Sequence, residues 1–397
     1  MSVTERLLKY VSFDTQADEE SSSVPSTAKQ LELAKYLTEE CKKMGVDHVV
    51  MDPSGSVYAT INATCDNKHA IGFVAHMDTA TELPGKDVKP QFVKNYQGET
   101  IRLNDEYAMN PDEFENLKKV IGTDLIVTDG TTLLGADDKA GIAIIMQAMD
   151  EIIHSEQPHG KVMFAFTCDE EVGRGTENFD LKQFPVDFAY TVDGADIQNI
   201  DYETFNAAYA HVTVHGTSIH PGEAKGKMVN ASLLASEFMM AMPCIETPQC
   251  TEQREGFYHV IKVESNCDEA KLDYIIRDHD SDKFAQRKEY MKKMVETFNE
   301  KYDDRFEIEM GDQYYNMAQY ITDRTCIDLA CKAIAKEGLQ PQSDPVRGGT
   351  DGANLTKMGL ACPNLGTGSY NHHGRFEFAS IQQMETMVRI VKNIIFE

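Results

Sequence analysis

Four apolar, strand-like runs in this chain end on residue types that bind cations. Ala70 to Ala75 runs into His76-Met77-Asp78, and Thr132 to Ala136 runs into Asp137-Asp138. Val162 to Cys168 runs into Asp169-Glu170-Glu171, and Phe188 to Val192 into Asp193. In open α/β sheets, ligands bind in the crevice outside the carboxyl ends of the strands. Carboxylates gathered there repel one another unless a positive charge sits among them. Carboxylate oxygens with imidazole nitrogens are ligands for zinc or a similar divalent ion. The pattern therefore reads as a metal hydrolase.

Each motif also has a plainer explanation. A carboxylate two residues from His76 could merely hydrogen-bond a structural histidine. In a metal site the same contact fixes the imidazole tautomer and raises its basicity, which makes His76 a candidate ligand and Asp78 its partner. In Gly135-Ala136-Asp137-Asp138-Lys139-Ala140-Gly141 the small residues permit a tight turn with close backbone approach. Aspartate at a helix start is also ordinary capping, and the spacing of a phosphate loop is absent. Adjacent residues at a strand end point to opposite sides. One glutamate of Asp169-Glu170-Glu171 can thus bind metal while the other reaches a metal-bound water. Such a water has a lowered pKa, and a partly desolvated glutamate is a competent base for its proton. Asn371-His372-His373-Gly374 offers two imidazoles, one to complete a site and one as a loop residue. Spacing alone does not assign His220 in His220-Pro221-Gly222, where a turn role serves as well.

These residues need a scaffold. A chain of 397 residues suggests two domains. Helical spacing is predicted after Thr27-x-x-Gln30, a capping-box pattern, stopping near Gly45. Pro53-Ser54-Gly55 suggests a hairpin turn, and Ile142, Ile145, Met146, Met149, Ile152 and Ile153 mark a helix behind the Asp137 turn. The stretch from Thr79 to about Val120 is polar and weakly periodic, an excursion with short strands near the mouth of the site. From about Phe205 the texture changes to strand, helix, two strands, long charged helix and strand, a βαββαβ sandwich. After it, the Ile327 to Lys336 pattern, a Gly-rich loop at 347–352 and a helix from Ile381 restore the first texture. The expected organisation is a catalytic domain over 1–204 and 317–397 with a lid domain inserted at 205–316.

Composition narrows the function. A formal charge of -27 argues against nucleic acid and anionic membranes. No apolar run approaches the roughly 20 residues of a membrane helix, and the first residues lack a secretory layout, so a cytoplasmic location is expected. Nine scattered cysteines without a C-x-x-C pair point to reduced, structural thiols, with Cys168 in the core.

Taken in order, the motifs are similar to those of the di-zinc peptidase family that includes aminoacylase, carboxypeptidase G and succinyl-diaminopimelate desuccinylase. The resemblance runs through His76-x-Asp78, the 135–141 turn, Asp169-Glu170-Glu171, Asp193-Gly194, His220-Pro221-Gly222, Arg347-Gly348-Gly349-Thr350-Asp351-Gly352 and Tyr370-Asn371-His372-His373-Gly374. Gly256 to His259, Tyr274 to Asp278 and Tyr314 to Met317 give the flavour of its aminotripeptidase branch. The resemblance implies an α/β fold of two domains, an α/β/α catalytic domain with a mixed central sheet and an inserted α+β sandwich lid. It implies two zinc ions per subunit, one held by His76, Asp137 and Asp193, the other by Asp137, Glu171 and His373. It also implies Glu170 as the base for a zinc-bridging water, Asp78 as orienting residue and His220 as a lid residue facing the oxyanion. Asn230, Arg277 and Arg347 match substrate-holding positions. The implied reaction releases the amino-terminal residue of tripeptides. Carboxypeptidase or N-acyl amino acid hydrolase chemistry on the same scaffold stays open, and a non-catalytic binding protein is the further alternative. The expected partner is a small peptide, and exposed edges of the lid sheet are where a second copy would pair.

Overall fold

The computed structural model describes residues 1–66 and 68–397. Its chain divides into two compact units, Met1–Tyr202 with Tyr320–Ser343 and Thr350–Glu397, and Glu203–Gln319 with Asp344–Gly349.

The first unit is built on a seven-stranded mixed sheet in the order His48–Met51, Val57–Ile61, Val162–Thr167, Ile71–His76, Phe188–Gly194, Asn364–Gly366, Ile200–Asp201. The four central strands run parallel, and those toward the edges are antiparallel. Strands buried on both faces read as continuous apolar runs, which is how Ile71–His76 and Val162–Thr167 present themselves, with all six residues of each buried. Side chains alternate between two cores. Phe73, Phe164, Phe166 and Tyr190 meet the helices Val3–Tyr10, Gln30–Met44, Ala136–Ile153 and Ile381–Phe396 on one face. Val74, Met163, Ala165 and Ala189 meet Phe179, Phe184 and Leu355 on the other. Because the central strands are parallel, His76 pairs with Thr167 and Val74 with Thr191, so the three strands end at one edge of the sheet.

Two glycines of the Asp137 motif serve different purposes. Gly135 takes a left-handed φ of 74° just before the helix Ala136–Ile153. A Cβ on Gly141 would lie 1.9 Å from the Val192 carbonyl oxygen, so only glycine lets this helix lie on the Phe188–Gly194 strand. Gly45 ends the helix Gln30–Met44 in the left-handed conformation, as expected. The capping box does not form: Lys29 is the N-cap without a side-chain bond. Gln30 instead donates to Asp169 Oδ1 at 2.7 Å, because that buried carboxylate is the stronger acceptor. Between Thr79 and Val120 the excursion carries the short strands Gln91–Val93, Ile101–Arg102 and Ala108–Met109.

The second unit is a four-stranded antiparallel sheet in the order Phe257–Ser265, Glu269–Asp278, Asn206–His215, Phe306–Tyr314. Ala208, Ala210, Val212 and Val214 alternate into a core with Phe238, Met291, Val295 and Phe298 from the helices Ala231–Ala241 and Ser281–Tyr302. This is the expected βαββαβ order. The segment 344–349, which its texture had placed with the first unit, packs with the second: His279 Nε2 meets the Val346 carbonyl at 3.0 Å. Among the described residues no helix is long and apolar enough to cross a membrane, and all nine cysteines are free, with Cys168 buried.

Candidate metal centre

The strands Ile71–His76 and Phe188–Gly194, the start of the helix Ala136–Ile153 and the segments after Thr167 and Tyr370 bring five candidate ligands into two groups that share Asp137: His76, Asp137 and Asp193, then Asp137, Glu171 and His373. The run from Thr132 to Ala136, expected to be strand-like, is a loop entering that helix. His76 Nε2 lies 3.0 Å from Asp137 Oδ1 and 3.5 Å from Asp193 Oδ1. His373 Nε2 lies 3.0 Å from Glu171 Oε2 and 3.4 Å from Asp137 Oδ2. The two carboxylate oxygens of Asp137 thus face opposite imidazoles. Ligand atoms each about 2.0–2.2 Å from a tetrahedral ion lie roughly 3.3–3.6 Å apart, close to the separations seen. The other histidine of the pair, His372, also belongs here. Its Nδ1 is 3.3 Å from Asp137 Oδ2, and Ser369 Oγ lies 2.9 Å from its Nε2.

Backbone hydrogen bonds hold these groups in place. Asp138, buried behind Asp137, accepts the His76 amide at 3.2 Å and the Gly141 amide at 3.1 Å. Asn364 Oδ1 accepts the Asp193 amide at 3.2 Å. Asp78 differs in detail from its expected role. His76 Nδ1 is nearer the Asp78 carbonyl, at 3.1 Å, than its carboxylate, at 3.5 Å. That carboxylate accepts the amides of Glu170 at 3.1 Å and Glu171 at 3.0 Å. Asp78 therefore aims the glutamate pair as well as the imidazole. Strand alternation does not separate that pair, because the strand ends at Thr167. What separates the two glutamates is a turn after Asp169, whose φ is 64° and whose carboxylate is held by Ser26 and Gln30.

The electrostatics suit a bound cation. Burial raises Glu171 to about 7, and Asp193 to about 6 against the pull of His76. Burial also lifts Asp351 to about 7 and Glu170 well above the carboxylate range. Asp137 is the exception: burial is outweighed by His372, His373 and His76, which hold it well below that range. Asp137 and Glu171 raise His373 to about 11. Glu171 Oε1 is buried without a hydrogen-bond partner, a costly state unless another group satisfies it. Two carboxylates and two imidazoles around one shared aspartate suit two divalent ions, and these residues fit the group.

The remaining candidates lie in the second unit. His220 is exposed, and its Nδ1 accepts the Gly222 amide at 3.2 Å, the turn role considered above. Asn230 caps the helix Ala231–Ala241 through Ser232. Arg277 Nη1 donates to the carbonyls of Ala208 and Ile276. Arg347 donates to the carbonyls of Gln253 and Glu255 and to Thr251 Oγ1, with its guanidinium over Phe205 and Phe257. Sequence reading missed Glu377, which accepts three amides of the Asp137 turn. A single glutamate in a loop has no spacing to reveal it.

Comparison with known proteins places this geometry. Residues 202–305 match a peptidase dimerisation domain and residues 121–234 an M42 glutamyl aminopeptidase model. Peptidase T of Clostridium novyi is 48% identical, covering 99% of this chain and 98% of its own. Peptidase T of Bacillus cereus is 47% identical, covering 98% and 97%. The fold is also that of the crystal structure of aminopeptidase PepT from Bacillus cereus, at a TM-score of 0.79 and 23% identity, covering 99% of this chain and 97% of that one. A dinuclear metal-binding peptidase of Bacillus subtilis, from the M20 family, superposes at 0.66 with 13% identity, covering 99% and 97%.

Proposed function

Since the chain belongs to the peptidase T family, we propose that it is a zinc aminopeptidase releasing the amino-terminal residue from tripeptides. One observation carries the reading: Asp137 divides its two oxygens between His76 and His373, as a carboxylate shared by two ions must. His76, Asp137 and Asp193 would hold one ion, and Asp137, Glu171 and His373 the other. Bound zinc supplies Lewis acidity and makes water a nucleophile near neutral pH.

The protein's own residues do the rest. Glu170, outside both ligand groups, accepts the proton of the attacking water and later delivers it to the leaving amine. Oxygen goes to the carbonyl carbon and the proton to nitrogen, so one carboxyl balances the hydrolysis. Asp78 keeps Glu170 and Glu171 at their stations through their amides. From the family resemblance we carry His220 as the oxyanion partner and Asn230, Arg277 and Arg347 as substrate-holding residues.

The test is amino-acid release from trialanine, beside dialanine, tetra-alanine and N-acetyl-trialanine, with a chelated control and elemental analysis. Chelator-sensitive release from the free tripeptide, with two zinc ions per chain, is expected. Cleavage of the acetylated peptide would move the chain to carboxypeptidase or acylase chemistry, and manganese or cobalt in place of zinc would correct the metal. On the same panel His220→Ala should lose roughly 10²–10³ in kcat, the usual effect of removing an oxyanion donor; an unchanged rate returns His220 to its turn.

We further propose a cytoplasmic homodimer. Free thiols suit a reducing compartment, and cell fractionation checks it. Ile261 and Val263 are exposed on an edge strand of the unit matching the dimerisation model, where a second copy can add. Sedimentation should find a dimer that Ile261→Glu weakens; a monomeric parent protein would sink this.

A further inference from the structure

Glu377 sits four residues beyond His373 and is 1% exposed. Its Oε2 accepts the amides of Leu134 at 2.9 Å and Gly135 at 2.7 Å, and its Oε1 accepts the amide of Asp137 at 2.8 Å. These amides open the helix Ala136–Ile153, where the backbone leaves N–H groups unsatisfied and favours negative charge. The turn they belong to is not self-supporting. Gly135 has a left-handed φ and no side-chain cap, and Asp137 and Asp138 depart from helical angles. A single carboxylate spans all three donors. It also joins the segment bearing His372 and His373 to the backbone of Asp137, the residue shared by the two ligand groups.

We infer that Glu377 is a positioning residue that sets where the Asp137 carboxylate stands between the two ions. The inference rests on the metal-centre reading. Glutamine at 377 preserves shape but turns an amide N–H toward backbone N–H groups. Whichever way it flips, either Asp137 or the Leu134–Gly135 pair loses its acceptor. Partners standing behind metal ligands typically change metal affinity by about 10–100-fold.

The experiment titrates metal-stripped protein with Co²⁺ against a chromophoric chelator, and records the visible Co²⁺ spectrum. Glu377→Gln should bind Co²⁺ about 10–100-fold more weakly with an altered band, and Glu377→Asp should fall between it and the parent protein. Ile395→Ala supplies the control for stability alone. Ile395 is buried and lines the same groove as Ile71, which lies at the opposite end of the strand that finishes at His76. The control should lower the melting temperature yet keep the parent affinity and spectrum. Parent-like Co²⁺ binding by Glu377→Gln overturns the positioning role while leaving the metal centre standing. A parent protein that binds no pair of ions overturns both. If Glu377→Gln does not fold without metal, Glu377→Asp decides the matter by the same two readouts.

Discussion

Glu170→Gln is expected to keep two metal ions per chain and to lose roughly 10²–10⁴ in kcat on trialanine, the usual worth of a general base. The structure makes this separation of binding from chemistry testable. Glu170 belongs to neither ligand group, and backbone groups tie it to the scaffold: its amide bonds Asp78 at 3.1 Å and its carbonyl accepts the Gly173 amide at 2.7 Å. Glutamine keeps those backbone bonds and nearly the same volume, so the turn that also carries Glu171 is undisturbed. What it removes is a carboxylate able to take a proton. Burial raises Glu170 far above the usual carboxylate range, with His76 opposing and Asp193, Asp351 and Glu171 adding to the rise. A bound cation would oppose that rise. Metal analysis and steady-state rates on one preparation check the prediction. Loss of an ion would recast Glu170 as a ligand, and an intact rate would require a different base.

Much of this centre was legible because strand ends are chemically conspicuous. A continuous apolar run that stops at His76 or Asp193 announces both a doubly covered strand and the edge where it finishes. Gly141 was legible too, since a motif with glycine at both ends suggests close backbone approach, and the 1.9 Å clearance to Val192 O is that approach. What escaped reading were partners acting through backbone groups. Glu377 and Asn364 meet the site from 240 and 171 residues away. Their amide partners carry no side-chain identity for a pattern to reveal. Gln30 shows the cost of reading locally. Its spacing from Thr27 imitates a cap, while a buried carboxylate 139 residues away claims its side chain.

Asp137→Ala should have the largest effect of any single substitution, because it removes a ligand from both groups at once. Asp193→Ala or His373→Ala damages one group, and each should leave about one ion per chain. Asp137→Ala should leave less than one and abolish measurable hydrolysis. Its effect on affinity should exceed the roughly 10–100-fold typical of residues behind the ligands. Stability separates this from misfolding. An ion that binds only the folded chain adds RT ln(1 + [L]/Kd), about 2.7 kcal/mol at a hundredfold excess over Kd. The parent protein should therefore melt higher as zinc is added, and the variant should not. Without metal the two should melt closer together. The lost carboxylate had raised the pKa of His76 and His373, and those imidazoles can shed their protons instead of remaining charged and unpaired. A variant that still binds one ion tightly, and still gains stability from zinc, would show that Asp137 serves a single ion and is not shared.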